Sequence, residues 1–398
     1  MNTLSSKLFF LAILSVCLMV PLSNDIFISG LPAMKSYFQG ANVALVLSVG
    51  LLGLSLAQLV YGPLLDRFGR RPILLVGLWI FTIASAVTTF SHSFHVLLIA
   101  RFIQAIGACS SIVTVFAIVR DVYEQDKLIK ATGVVTALIG ISPALAPLVG
   151  SAVNNVWGWR ASFAVLFLLG LIYVLLTQFF FKETQAQKNL SALNFRHIFN
   201  NYTALLRNIP FLIYGISSGL SYGVLFSYFA ISPFFIIHQM HFSVLSFGWI
   251  VATNAIAIIG MSILTPRFSP RLGLPKTMTL GFVFILIGGL IMWVSNIFLP
   301  TNIYTFMVPM FISTIGISII RPTAGAGAMQ LAERKVAGSA SALYNFLSFM
   351  GGSIASAVTS HVVSHVASFG LFIVVMGILA LLFQGLQSRL PTHVTQVT

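Results

Sequence analysis

The chain has 398 residues, 58% of them hydrophobic and only 7% charged, with a mean hydropathy of +1.00. That composition excludes a string of soluble domains and predicts a polytopic membrane protein. A formal charge of +14 would point to nucleic acid in a soluble protein, but the 21 Lys and Arg are scattered over many short loops, so we expect a lipid bilayer and no nucleic-acid partner.

Apolar runs of membrane length recur without strand-like alternation, which favours helices over a barrel. Twelve spans are predicted at roughly 8–30, 43–63, 72–90, 95–119, 131–153, 161–181, 210–236, 244–264, 276–297, 301–320, 335–359 and 367–386. The first reads as a retained helix rather than a cleaved signal, because no small-residue cleavage site follows it and eleven similar runs do. With the N-terminus in the cytoplasm, eighteen basic residues fall inside, among them Lys7, Arg67, Arg70, Arg71, Arg120, Arg321, Arg334 and Lys335. Only Lys35 and Arg160 fall outside, and Arg101 lies within span 4. That bias is the positive-inside pattern for twelve spans with both termini cytoplasmic.

The polar interval 182–209 separates six spans from six, giving an N-terminal half at 1–181 and a C-terminal half at 210–398. From Ser191 the spacing of Leu193, Phe195, Ile198 and Phe199 suits a helix lying on the membrane surface. "LDRFGRRP" at 65–72 has a weaker echo in "SPRLGLPK" at 269–276, which aligns Arg67 with Arg271 and Gly69 with Gly273. Repeated halves suit a secondary transporter with its substrate site near the midplane. Cys17 and Cys109 read as small apolar fillers, and the eight His lack partners at metal-ligand spacing. No nucleophile and base, metal cluster or phosphate loop appears, so neither an enzyme nor a cofactor is expected.

"GPLLDRFGRRP" at 62–72 resembles the GxLxDRxGRR loop of the major facilitator superfamily. "RFIQAIGACSSIVTVFAIVRD" (101–121), "ALIGISPALAPLVG" (137–150), "WGWRASF" (157–163), "FAISPFF" (229–235) and "AGSASALYNFLSF" (337–349) resemble drug:proton antiporters of the bicyclomycin-resistance (Bcr/CflA) type. The resemblance implies the major facilitator fold, an all-α arrangement of two six-helix halves. It implies proton-driven export of drugs or small amphipathic compounds across a bacterial inner membrane; a monomer is the expected state. Two segments depart from the pattern: Ser29 replaces an expected Pro in "DIFISGLP", and "IRPTAGAGAM" carries Arg321 and Thr323 around its Pro.

In the loop motif, Gly62 and Gly69 permit close approach and a tight turn, and Asp66 among Arg67, Arg70 and Arg71 can form charge-assisted hydrogen bonds. The resemblance makes this a conformational latch in which Asp66 and Arg70 engage Arg120 and Asp121; the alternative is a solvated basic turn that only fixes topology. Gly140, Pro143, Pro147 and Gly150 concentrate helix-bending residues in span 5, read by resemblance as an antiporter motif and otherwise as ordinary enrichment in membrane helices. Asn254 and Asn345, with Tyr222, Phe226 and Tyr228, are candidates for a substrate cavity, although each Asn could instead bond a neighbouring helix.

Of seven acids, Asp25 alone lies inside a span on its outer side. Intramembrane acids face cavities and bind protons, so Asp25 is the candidate proton carrier, with helix capping as the alternative. Taking Gly30 as the end of span 1, Asp25 lies about 7 Å and Arg101 about 9 Å below the outer boundary at the helical rise. We therefore expect the two to interact when Asp25 is ionised. A proton-coupled carrier of an endogenous metabolite, or a membrane receptor or scaffold that has lost transport, would be alternatives on the same architecture.

Overall fold

Lipid offers the backbone no hydrogen bonds, so each apolar run must satisfy its own, and helices follow. The computed structural model describes residues 15–389, apart from Ala186, Ser191, Pro300, Thr301, Arg334 and Lys335, and every regular element among them is helical. In chain order these are α1 (Met19–Asp25), a 3-10 turn (Ile28–Gly30), α2 (Leu31–Tyr37), α3 (Leu45–Phe68), α4 (Arg70–Phe90), α5 (Phe94–Val122), α6 (Gln125–Trp157) and α7 (Trp159–Phe180). There follow α8 (Phe195–Arg207), α9 (Ile209–Pro233) with a wider π-turn at Phe234–Gln239, α10 (Val244–Ala252), α11 (Asn254–Leu272), α12 (Leu274–Phe298), α13 (Ile303–Gln330), α14 (Ala337–Val362) and α15 (Val366–Arg389).

Ten segments among the described residues are long and apolar enough to cross a membrane. The other two expected spans are α14, whose Gly, Ala and Ser lower its hydropathy, and span 1. Span 1 is not one rod: α1 stops at Asp25, the chain tightens through the 3-10 turn, and α2 carries it seven residues past Gly30 to Tyr37. Span 8 is divided at Thr253 between α10 and α11. Span 10 was expected to end at 320, with Arg321 in a loop; instead α13 runs on to Gln330 and holds Arg321 within the helix. Small residues in "TAGAGA" let that extension pack, with Gly327 against the ring of Tyr214. Lys7, Arg334, Lys335 and the expected start of span 1 lie outside the described residues.

The chain separates into two compact units. The first comprises Met1–Phe195 with Phe242–Ala255. Here α5 packs on α3 and α4, α7 on α4, and α6 on α1 and α10. Phe81, Leu97, Cys109 and Phe163 are buried within it, while Ile83, Ile99 and Phe179 are exposed, as lipid-facing positions are. Cys17 and Cys109 are free thiols in this interior.

The second unit comprises Arg196–His241 with Ile256–Thr398. Asn208 caps α9, its side-chain oxygen accepting from the Phe211 N–H at 3.1 Å, and Pro210 follows where no donor is required. α9 packs on α14, α13 and α15, and α12 on α13 and α15. The α9–α14 crossing is close because Gly219 and Gly351 meet backbone to backbone. Phe211, Phe282, Phe306 and Phe369 fill this unit's interior.

Candidate functional site

Asp25 is the last residue of α1 and Arg101 lies two turns into α5; both are buried, at 3% and 1% exposure. The Arg101 Nη1 donates to the Ser23 carbonyl at 3.0 Å and to the Gln104 side-chain oxygen. Gln104 in turn donates to Ser85 Oγ at 2.6 Å, and Ser85 to the Phe81 carbonyl at 2.7 Å, so the cation is held by a chain of polar groups crossing three helices. The guanidinium lies 4.4 Å over the Phe27 ring and 5.8 Å from Phe163, whose rings stack. Gly50 of α3 makes room: a Cβ there would stand 2.9 Å from Nη2. The Asp25 carboxylate acts electrostatically on this guanidinium. Twelve residues of chain run from Asp25 to the end of α2, so Gly30 does not mark the end of span 1; the break nonetheless puts the Ser23 carbonyl, two residues before Asp25, on Arg101.

At the opposite end of α3, Arg70 is 4% exposed and pairs with two acids. Its Nη1 reaches Asp66 at 3.0 Å and its Nε reaches Asp121 at 2.8 Å, tying α3, α4 and α5 together. Gly69 makes the turn with φ of +105°, where a side chain would be strained. Glu183, just beyond α7, accepts from the backbone N–H groups of Arg70 and Arg71 at 3.0 and 3.2 Å. Its carboxylate occupies the space that a Cβ on Gly69 would need. Burial pushes this carboxyl upward in pKa, but N–H groups of Gln185, Arg70, Arg71 and Thr184 outweigh it and hold it below 4.5.

The start of the 182–209 interval joins the same network. Gln185 Nε2 and the Asn189 N–H both donate to the Asp66 carbonyl, at 2.8 and 2.9 Å. Arg71 donates to the Gln178 carbonyl at 2.8 Å, and Arg67 to the Leu190 carbonyl at 3.5 Å. Arg120 is exposed and outside the network. Gly62 leaves open space where a Cβ would stand, so close approach operates at Gly69 and not there.

In α6 the helix runs unbroken through Pro143 and Pro147. Gly150 lies hard against the Ile26 carbonyl in the break of span 1, whereas Gly140 faces open space. Beside them Gly248 of α10 lies close to Ser151 and to the Pro147 carbonyl, within the first unit.

The cavity candidates fall in both units. Tyr222 lies edge-to-face with Phe349 at 5.2 Å and 5.7 Å from Phe226. Tyr228 is walled in between α9 and α13, its ring 5.8 Å from Phe306 and its hydroxyl 3.8 Å from Met307 Sδ. Asn254 is buried at the start of α11 in the first unit, and Asn345 is half-buried on α14 in the second.

A model described as the Major Facilitator Superfamily matches residues 13–356. The chain belongs to that superfamily. It is 29% identical over 353 residues to a chloramphenicol resistance protein of Pseudomonas aeruginosa, covering 87% of this chain and 81% of that one. It is 27% identical to a bicyclomycin resistance protein homolog of Haemophilus influenzae, covering 85% and 86%. It is 29% identical to the multidrug resistance protein MdtM of Escherichia coli K12, covering 69% and 67%. The fold matches that of a bacterial homolog of the human lysosomal transporter Spinster with a TM-score of 0.73 and 16% identity, over 98% of both chains.

Superfamily members are transporters and not enzymes, so this is a multi-pass membrane transporter for small molecules. Within that frame, three residues in the site geometry carried no sequence signal: Gly50, Gln104 and Glu183. Each acts through a partner on another helix or on the backbone, at separations such as the 113 residues between Arg70 and Glu183. Arg321 had a signal, as a basic residue departing from the expected pattern, but its assignment to a loop concealed it.

Proposed function

We propose that the protein is a proton-coupled exporter of drugs or other small amphipathic compounds, working by alternating access as a monomer in a bacterial inner membrane. In this reading six-helix halves at 1–181 and 210–398 flank the cytoplasmic interval 182–209, and both termini are cytoplasmic. The observation that carries it is the burial of Asp25 beside Arg101, with Arg101 bonded to the Ser23 carbonyl at 3.0 Å. A carboxyl enclosed with a cation has two opposed influences on its proton, desolvation favouring the neutral form and the guanidinium the charged one. A rearrangement that separates them changes which influence wins. Asp25 then takes a proton from the outer side, releases it inward, and is in its other protonation state when drug is bound.

The Asp66, Arg70 and Asp121 network acts as the latch, and the α6 segment from Gly140 to Gly150 limits leak through the empty carrier. The names of the relatives support chloramphenicol and bicyclomycin as the first compounds to try. The deciding experiment uses inside-out vesicles with an acid interior. Drug accumulation coupled to proton exit, abolished by Asp25→Asn, is the expected result. Proton-driven accumulation that survives Asp25→Asn excludes Asp25 as carrier, and accumulation of neither drug removes the drug-export reading.

A further inference from the structure

Arg321 is the nineteenth of 28 residues in α13, nine before Gln330 and so about 13 Å from that end of the helix. It lies within a helix long and apolar enough to span a membrane, and charged groups in such helices are retained where they pair with a charge or bind one. In the first unit Arg70 has Asp66 and Asp121, and Arg101 has the field of Asp25. From Thr184 to the C-terminus the sequence contains one acid, Glu333, which is exposed beyond the end of α13. Among the described residues no carboxylate pairs with Arg321.

What surrounds it is aromatic and polar but neutral. Nη2 donates to the Tyr222 hydroxyl at 2.9 Å, and the guanidinium lies 4.7 Å over the Tyr222 ring. The Tyr344 hydroxyl donates to the Arg321 carbonyl at 3.2 Å, fixing the backbone from α14. The other guanidinium N–H groups have no hydrogen-bond partner among the described residues, and Arg321 is only partly buried. Beside it half-buried Phe349 extends the Tyr222 surface into an aromatic wall, backed by the buried ring of Phe226.

We propose that Arg321, oriented by Tyr222 and flanked by Phe226 and Phe349, is a subsite for an aromatic small molecule bearing a carboxylate or similar anionic group. The anion supplies the counter-charge the second unit lacks, taken by the unused fork of the guanidinium, while the ring system stacks on the wall. The subsite extends the transport reading to a substrate class, and its test is separable from that reading.

Equilibrium dialysis of the purified protein at about pH 8 would compare nalidixate, an aromatic carboxylate, with its neutral ethyl ester. Charge-assisted pairing predicts binding of nalidixate about tenfold tighter than the ester. Arg321→Met brings that ratio to about one while ester affinity stays within about twofold, and Arg321→Lys, which keeps the charge and guards against a folding defect, retains a ratio of about threefold. A wild type that does not discriminate, including one that binds neither probe, overturns the subsite, as does discrimination that persists in Arg321→Met. Discrimination by a protein that moves neither chloramphenicol nor bicyclomycin under a pH gradient keeps the subsite and removes the exporter reading. Chloramphenicol transport without discrimination does the reverse.

Discussion

Glu183 caps the N-terminus of α4, its carboxylate accepting from the Arg70 N–H at 3.0 Å across 113 residues of sequence. The first N–H groups of a helix have no partner within it, and the helix dipole favours a negative charge there. Loss of such a cap costs about 1 kcal/mol, so Glu183→Ala should lower the melting temperature in detergent by a few degrees.

The same carboxylate gives stability a pH signature. Its folded-state pKa lies below the ordinary 4.5, so its contribution is fully present above 4.5 and is lost as pH falls through the lower folded value. The stability gap between wild type and Glu183→Gln should therefore be constant from neutral pH down to about 5 and close below that. A gap that widened on acidification would contradict the cap.

Two glycines of one motif should behave oppositely. Gly69→Ala must hold φ near +105° and displace Glu183, which should cost about 1–3 kcal/mol. Gly62→Ala adds a methyl group to open space within α3 and should be neutral or stabilising by about 0.5–1 kcal/mol. Melting curves of both variants decide it.

The same contrast holds in α6. A side chain at Gly150 meets the Ile26 carbonyl, and backbone cannot swing away as a flexible side chain can. Gly150→Ala should destabilise the first unit by about 1–3 kcal/mol and slow transport, while Gly140→Ala, which adds a methyl group to open space, should leave stability unchanged or slightly raised.

For the buried charges, Arg101→Lys keeps a positive charge but loses the planar guanidinium that lies over Phe27 and whose Nη1 bonds both Ser23 and Gln104. We expect proton-driven drug uptake to fall by about tenfold in Arg101→Lys and to background in Asp25→Asn, read as initial rates in vesicles across a range of pH. An unchanged rate and pH profile in Arg101→Lys would show that the guanidinium itself has no part in coupling.

Much of this was legible because charge is rare in the chain. A lone acid and a lone base in apolar runs announce themselves, and the basic motif at the α3–α4 turn carries Asp66 and Arg70 only four residues apart, close enough to pair across it. Helix ends were less legible. Arg321 followed by Pro322 read as a loop, yet both lie inside α13, where the small residues beyond them pack against neighbours that the local sequence does not reveal. Gly62 and Gly140 looked equivalent to Gly69 and Gly150, since a sequence shows that a side chain is missing but not what stands where it would be.

The break in span 1 has its own outcome. The last regular bond of α1 runs from the Ile26 N–H to the Leu22 carbonyl, which leaves the Ser23 carbonyl beyond the ladder and turned to Arg101. That acceptor belongs to the main chain, so no side-chain substitution deletes it. An alanine scan of span 1 would register Asp25 and pass over Ser23 in silence; only replacing the following amide with an ester, which weakens the carbonyl as an acceptor, would expose the atom on which the arginine rests.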